Sequence, residues 1–192
     1  RRAAALPNLC PHFHLSLQSG CDATLARMNR KYDTSRYHKS VELLRGYFPD
    51  PGITTDLIAG SPGESEEEFA QTLAFVERCA FTSIHVFPYS RRPGTPAADM
   101  PGQVPKEVKE ARTRAAIALG AELEGRWLER QIGRTLPVLF EEEKDGLWQG
   151  HTPNYALVRT QGKDLHNRLL DVRITGRMGD ALAGEPARPG SL

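Results

Sequence analysis

What this sequence lacks narrows it before any motif is read. No run approaches the roughly 20 apolar residues of a membrane-spanning helix, and the opening RRAAALPNLC has too short an apolar stretch for a secretory signal. The chain reads as an interior piece of a soluble, cytoplasmic protein. Cysteine is scarce: Cys10, Cys21 and Cys79 are odd in number and match no metal-binding spacing, so reduced thiols are expected and a disulfide framework is excluded. A formal net charge of +1 gives no global attraction to nucleic acid, so such a role must come from a local patch. There are no internal repeats, and no acid–base pair or metal set supports a small-molecule barrel enzyme. What remains is 192 residues, 39% of them hydrophobic, enough for a core in one or two domains.

The most informative stretch present is ITTDLIAGSPGE, Ile53 to Glu64. A short apolar run that spills into Gly60, Pro62 and Gly63 is the pattern of a buried parallel strand entering a turn. Ser65 with Glu68 three residues on then makes a capping box for a helix from about Glu66 to Ala80, with Phe69, Leu73 and Val76 inward. Before it, Phe13 to Leu17 alternates, placing Phe13, Leu15 and Leu17 on one face and His14, Ser16 and Gln18 on the other. Asp22 can cap a short helix to Asn29, and Thr34 or Ser35 opens a second with Tyr37, Val41, Leu44 and Phe48 on one face. Thr82 to Pro88 is a third strand.

Strand, helix, strand, helix, strand with short turns predicts parallel strands with right-handed crossovers, and three strands are too few to close a barrel. A proline- and glycine-rich loop, Tyr89 to Pro105, leads to a long alanine-rich helix over about Lys106 to Arg130. From Thr135 short β-like runs recur at about ten-residue spacing, which predicts a small antiparallel barrel. The fold class is therefore α/β, a partial parallel (β/α) barrel over residues 1–130 followed by a small antiparallel β-barrel over 131–192. The tail EPARPGSL reads as disordered.

Three consecutive strands deliver polar groups to one rim: Gln18 and Ser19, Gly60 to Glu64, and Tyr89 with Ser90. His12 and His14 share a strand face, but no third ligand lies near them, so no metal site is assigned. In the basic run Arg27, Arg30, Lys31, Arg36 and Lys39, most positions read as a solvated face. Arg30 follows the short helix at the rim and could pair bidentately with a ligand carboxylate. Arg91 and Arg92 form a second basic loop near the same rim.

CPHFHLSLQSGCDATLARMNRKY, TDLIAGSPGESEEEF and HVFPYSRRPGTPAADMPGQVP, in that order, resemble the radical S-adenosylmethionine methylthiotransferases, and within them the branch that acts on threonylcarbamoyladenosine in tRNA. From about Gln131 the sequence is similar to the TRAM domain that these enzymes carry for RNA contact. The resemblance covers about Leu9 to Glu185. It implies that Ser16, Gln18 and Arg30 meet the ribose and methionine of S-adenosylmethionine. Ile58, Gly60 and Glu64 would lie behind the adenine, with Phe87 and Tyr89 lining it. It also implies [4Fe–4S] clusters, a tRNA partner and an amino-terminal half of the same enzyme. The family's CxxxCxxC motif precedes the matched region and is absent here. Cys10, Cys21 and Cys79 do not replace it, since cluster thiolates must converge. This chain alone is thus expected to be inactive. Two alternatives stand beside that reading: methylthiolation of a ribosomal protein, and a non-catalytic RNA-binding module.

The barrel segment has equal numbers of cationic and acidic residues. Glu141, Glu142, Glu143 and Asp145 crowd one hairpin, while Arg159, Lys163, Arg168, Arg173 and Arg177 face only Asp164 and Asp171 in their own stretch. A polarised barrel with one basic face for phosphates is expected, with Tyr155 beside Asn154 as a stacking platform for an unpaired base.

Overall fold

The structure, a computed structural model, describes residues 2–187. Two compact units are present. One comprises Phe13–Pro49 and Ile53–Glu124; the other comprises Arg1–His12, Asp50–Gly52 and Gly125–Leu192.

The first unit is built on a three-stranded sheet in the order β1-β2-β3, with β1 His12–His14, β2 Gly52–Ala59 and β3 Ser83–Pro88. β2 and β3 are parallel, with Thr54 opposite Ser83 through Ala59 opposite Pro88. β1 is shorter than its alternation suggests. Leu15 N still donates to Thr54 O, but Leu17 N is taken by the Thr55 hydroxyl, and pairing resumes only at Gln18, bridged in parallel to Leu57. Leu17 is fully buried while His14 and Ser16 are exposed, as the alternation predicts; Gln18 breaks it, buried and with φ 71°.

The helices are α1 Asp22–Arg27, α2 Thr34–Tyr47, α3 Glu66–Cys79, a short α4 Pro96–Asp99 inside the proline-rich loop, and α5 Lys106–Glu129. The capping box at Ser65 and Glu68 is formed, and α3 stops where Ala80 turns left-handed at φ 47°. Two expected caps shift. Cys21 occupies the cap position of α1, because Asp22 lies inside the first turn and its carboxylate accepts instead from Thr34 N at 2.8 Å. Asp33 caps α2 by accepting from Arg36 N. Phe69 and Val76 of α3 are buried, joined by Thr72, Phe75 and Cys79, so the inner face is wider than the expected stripe. Leu17, Val41, Ile53, Leu57, Phe81, Ala116 and Leu123 complete this core.

The second unit is a closed five-stranded barrel: β4 Thr135–Lys144, β5 Leu147–His151, β6 Leu157–Thr160, β7 Arg168–Met178 and β8 Ala181–Pro186, ordered β4-β5-β6-β8-β7. It is mixed rather than purely antiparallel, because β6 and β8 run parallel, Val158 opposite Leu182 and Arg159 opposite Ala183. Val138, Phe140, Val158, Val172, Ile174 and Leu182 fill its interior with no exposed surface, and Trp127 and Leu128 pack on them. The expected disordered tail begins too early. Glu185 and Pro186 end β8, and Ala187 N donates to Asp171 O at 2.8 Å; residues 188–192 lie outside the described residues.

Candidate cofactor site and barrel surface

At the carboxyl ends of the strands lie two adjoining cavities, of about 610 Å³ and 210 Å³, that share Ile58, Tyr89 and Ala97. Gln18, Asp56, Phe87, Ser90 and Arg92 also line the larger. Arg27, Met28, Arg30, Ser61 and Met100 also line the smaller. The parallel topology accounts for this convergence: each strand ends on the same edge, so each following turn contributes to one rim. Tyr89 N donates to Ala59 O at 2.8 Å, which carries the sheet ladder one residue past β3 and fixes Tyr89 at the rim. Its phenol oxygen is buried without a hydrogen-bond partner among the described residues.

Behind the rim the β2–α3 turn is held by charge. Glu64, 5% exposed, accepts from Gly60 N at 2.7 Å and from Arg112 Nη1 at 2.9 Å, while the same Nη1 reaches Glu64 O at 3.0 Å. Burial pushes the Glu64 carboxyl above the usual range, against the pull of the Gly60 amide and the Arg112 guanidinium. Lys109 lies across the turn: a Cβ on Gly60, whose φ is 77°, would meet Lys109 Cγ at 2.3 Å. The Lys109 ammonium donates to Tyr89 O at 3.2 Å, so one side chain of α5 braces two rim turns. On the far side Arg27 forks onto the Glu68 carboxylate, which holds that carboxyl below its usual range.

Of the residues assigned from sequence, Gln18, Ile58, Phe87 and Tyr89 line the larger cavity, and Arg30, Ile58 and Tyr89 the smaller. Arg30 is exposed. Gly60 and Glu64 shape the turn, and Glu64 lines neither cavity because its carboxylate is turned onto Gly60 N and Arg112. Ser16 lines neither; its hydroxyl donates to Asp56 Oδ2 at 3.2 Å. Arg92 reaches the larger cavity. Sequence reading missed Asp56, Lys109 and Arg112. A carboxylate in the middle of a strand otherwise read as buried was the available signal for Asp56. The two α5 cations carry none, since they look like any others on a charged helix.

The barrel does not gather its cations as expected. Arg168 pairs with Phe140 and Arg173 with Thr135, which puts them at opposite ends of the β4–β7 ladder, with Arg168 beside the acidic hairpin. Arg173 stands opposite Glu185 on β8, and Arg159 is bridged to Asp180 at 3.4 Å. Lys163 is exposed in the β6–β7 loop. Tyr155 is 58% exposed, but its ring already stacks on His12 at 4.6 Å and on His151 at 4.4 Å. The residue read as a stacking platform thus already stands in a stack with two histidines.

The Radical SAM superfamily model matches residues 1–76. The chain is 41% identical over 192 residues to the tRNA-2-methylthio-N(6)-dimethylallyladenosine synthase of Mycobacteroides abscessus, which covers 98% of this chain and 35% of that protein. It is 41% identical over 189 residues to the synthase of the same name from Nocardia farcinica, again 98% and 35%. With that of Syntrophotalea carbinolica it shares 40% over 186 residues, 95% of this chain and 42% of the relative. Residues 1–76 thus match the Radical SAM superfamily, and the chain is similar over nearly its whole length to part of these synthases. It spans roughly a third to two fifths of the length of these relatives. Their names carry dimethylallyladenosine, not the threonylcarbamoyladenosine of the expected branch.

The family uses S-adenosylmethionine and [4Fe–4S] clusters. The rim fits the first. An orphaned phenol at Tyr89, the buried Gln18 and the guanidinium of Arg30 line the adjoining cavities, with apolar surface from Ile58 in both and from Phe87 in the larger. The cysteines do not fit the second. Cys10 is exposed, Cys21 and Cys79 are buried, and among the described residues no three His, Cys, Asp or Glu side chains group as metal ligands. Burial also pushes the Cys79 thiol up to about 12, far from the thiolate a cluster requires. Among the described residues no helix is long and apolar enough to cross a membrane.

Proposed function

We propose that this chain supplies the carboxyl-terminal part of the S-adenosylmethionine site and the RNA-contacting barrel of a cytoplasmic tRNA methylthiotransferase. The observation that carries this reading is the convergence of the three family-like motifs on one pair of adjoining cavities. Arg30 would take the methionine carboxylate, Gln18 and Tyr89 the polar edges of the nucleoside, and Ile58 and Phe87 its flat faces. The bound cofactor supplies radical chemistry; the protein positions and shields the reacting groups. The names of the relatives favour N6-dimethylallyladenosine over N6-threonylcarbamoyladenosine as the target, so we extend the former to this chain. Because its cysteines do not converge, turnover requires cluster ligands from an amino-terminal half, and this chain alone is inactive.

The test is calorimetric. S-adenosylmethionine should bind the chain, and Arg30→Ala should weaken binding by about 1.5 kcal/mol, the lower end for a hydrogen bond to a charged group because Arg30 is exposed. Arg30→Lys should recover only part of that loss, lacking the planar fork. An unchanged dissociation constant in Arg30→Ala would remove Arg30 from the site. Absence of binding in the unmodified chain would remove the cofactor reading.

A further inference from the structure

Across the sheet face below the rim runs a polar network that the cofactor reading leaves unused. His14 of β1 is fixed between Thr54 Oγ1, at 3.0 Å from its Nδ1, and Asp56 Oδ2, at 3.2 Å from its Nε2. The Ser16 hydroxyl donates to the same Oδ2 at 3.2 Å. One oxygen of Asp56 is thus held twice, and Oδ1 has no hydrogen-bond partner among the described residues. Asp56 lines the larger cavity, with its side chain 30% exposed. Gln18 lines the same cavity, 8% exposed, and its side-chain amide makes no hydrogen bond among the described residues. Its left-handed backbone, φ 71°, is a strain held at this one point of the rim.

A carboxylate can only accept, whereas an amide both donates and accepts. An oriented free acceptor complements the amino edge of adenine, which presents an N–H donor. We propose that Asp56, held by His14 and Ser16, reads the N6–H of a target adenine. Asp56 is a specificity-determining residue in this scheme, and His14 and Ser16 are positioning residues. The inference rests on the proposed function for the identity of the target base. An N6-monosubstituted adenine keeps one N–H and is accepted. An N6,N6-disubstituted adenine has none, and hypoxanthine turns an oxygen toward the carboxylate, so both are rejected.

The test is saturation-transfer NMR on the chain, with and without saturating S-adenosylmethionine, titrated with N6-methyladenosine, N6,N6-dimethyladenosine and inosine. N6-methyladenosine should bind at least about tenfold more tightly than the other two, the ratio of one charge-assisted hydrogen bond. Asp56→Ala should abolish that preference, with a far-ultraviolet circular dichroism spectrum matching the unmodified chain to report an intact fold. Equal affinities for the three nucleosides in the unmodified chain would overturn the proposal without any variant. Loss of cofactor binding in Asp56→Ala with the preference intact would also overturn it, since Asp56 would then serve the cofactor's own adenine. Nucleoside preference without S-adenosylmethionine binding would keep the Asp56 site and remove only the cofactor reading.

Discussion

Alanine at position 60 probes how the β2–α3 turn is held. Two separate penalties act there. Gly60 sits at φ 77°, where a side chain costs about 1–2 kcal/mol. Its new methyl would also meet Lys109 Cγ at 2.3 Å, so Lys109 must swing away and give up its 3.2 Å bond to Tyr89 O. That bond has a charged donor, and because Lys109 is only partly buried we take it as about 1–2 kcal/mol. Gly60→Ala should therefore destabilise the chain by about 2–4 kcal/mol, the sum of those two ranges. Lys109→Ala alone should cost about 1–2 kcal/mol. In that background the steric term is gone, and Gly60→Ala should cost only the backbone term. A double-mutant cycle by urea unfolding should then show the pair destabilised less than the sum of the singles, by about 1–2 kcal/mol. Additivity within about 0.5 kcal/mol would show that Lys109 does not brace this turn.

Two further outcomes follow from the same unit. The Arg27–Glu68 fork depresses the Glu68 pKa in the folded state, so its contribution is present above the usual carboxylate value, near 4.3, and is lost as pH falls through the lower folded value. Arg27→Gln should flatten urea stability between about pH 6 and pH 3, by about 1 kcal/mol after discounting for an arginine one-third exposed; an unchanged acid limb would count against the pair. Native alkylation at pH 8, read by mass spectrometry, should label exposed Cys10 and spare Cys79, whose thiol is buried and pushed up to about 12. Equal labelling rates before and after unfolding would contradict the burial of Cys79.

Much of this fold was legible because it is local. The capping box at Ser65 and Glu68 needs only residues three apart, and it formed as written. The alternation of Leu15 and Leu17 against His14 and Ser16 likewise placed the correct faces. What was illegible depends on partners distant in sequence. The ladder breaks at Leu17, whose N–H goes to the Thr55 hydroxyl 38 residues away, before Gln18 pairs again. The Arg112–Glu64 pair joins residues 48 apart, and no spacing rule announces it. The barrel misled in another way. Hydrophobic alternation tells which side of a strand faces inward, but not whether its neighbour runs with it or against it, so the parallel β6–β8 contact had no signal. Counting charges failed for a related reason: strand register decided that Arg173 faces Glu185 and that Arg168 sits by the acidic hairpin.

The parallel β6–β8 pairing also sets a schedule for synthesis. β8 is inserted between β6 and β7, strands that leave the ribosome before it. Until Ala181–Pro186 emerges, β6 and β7 each present an unpaired edge, and Val158, Val172 and Ile174 lack the Leu182 that seals them from water. A nascent chain paused short of residue 181 can pair at most four of the five strands and leaves two open margins, the kind of edge that recruits other strands. Closure of the barrel waits on Ala181–Pro186, so this short strand completes the domain in space as it does in sequence.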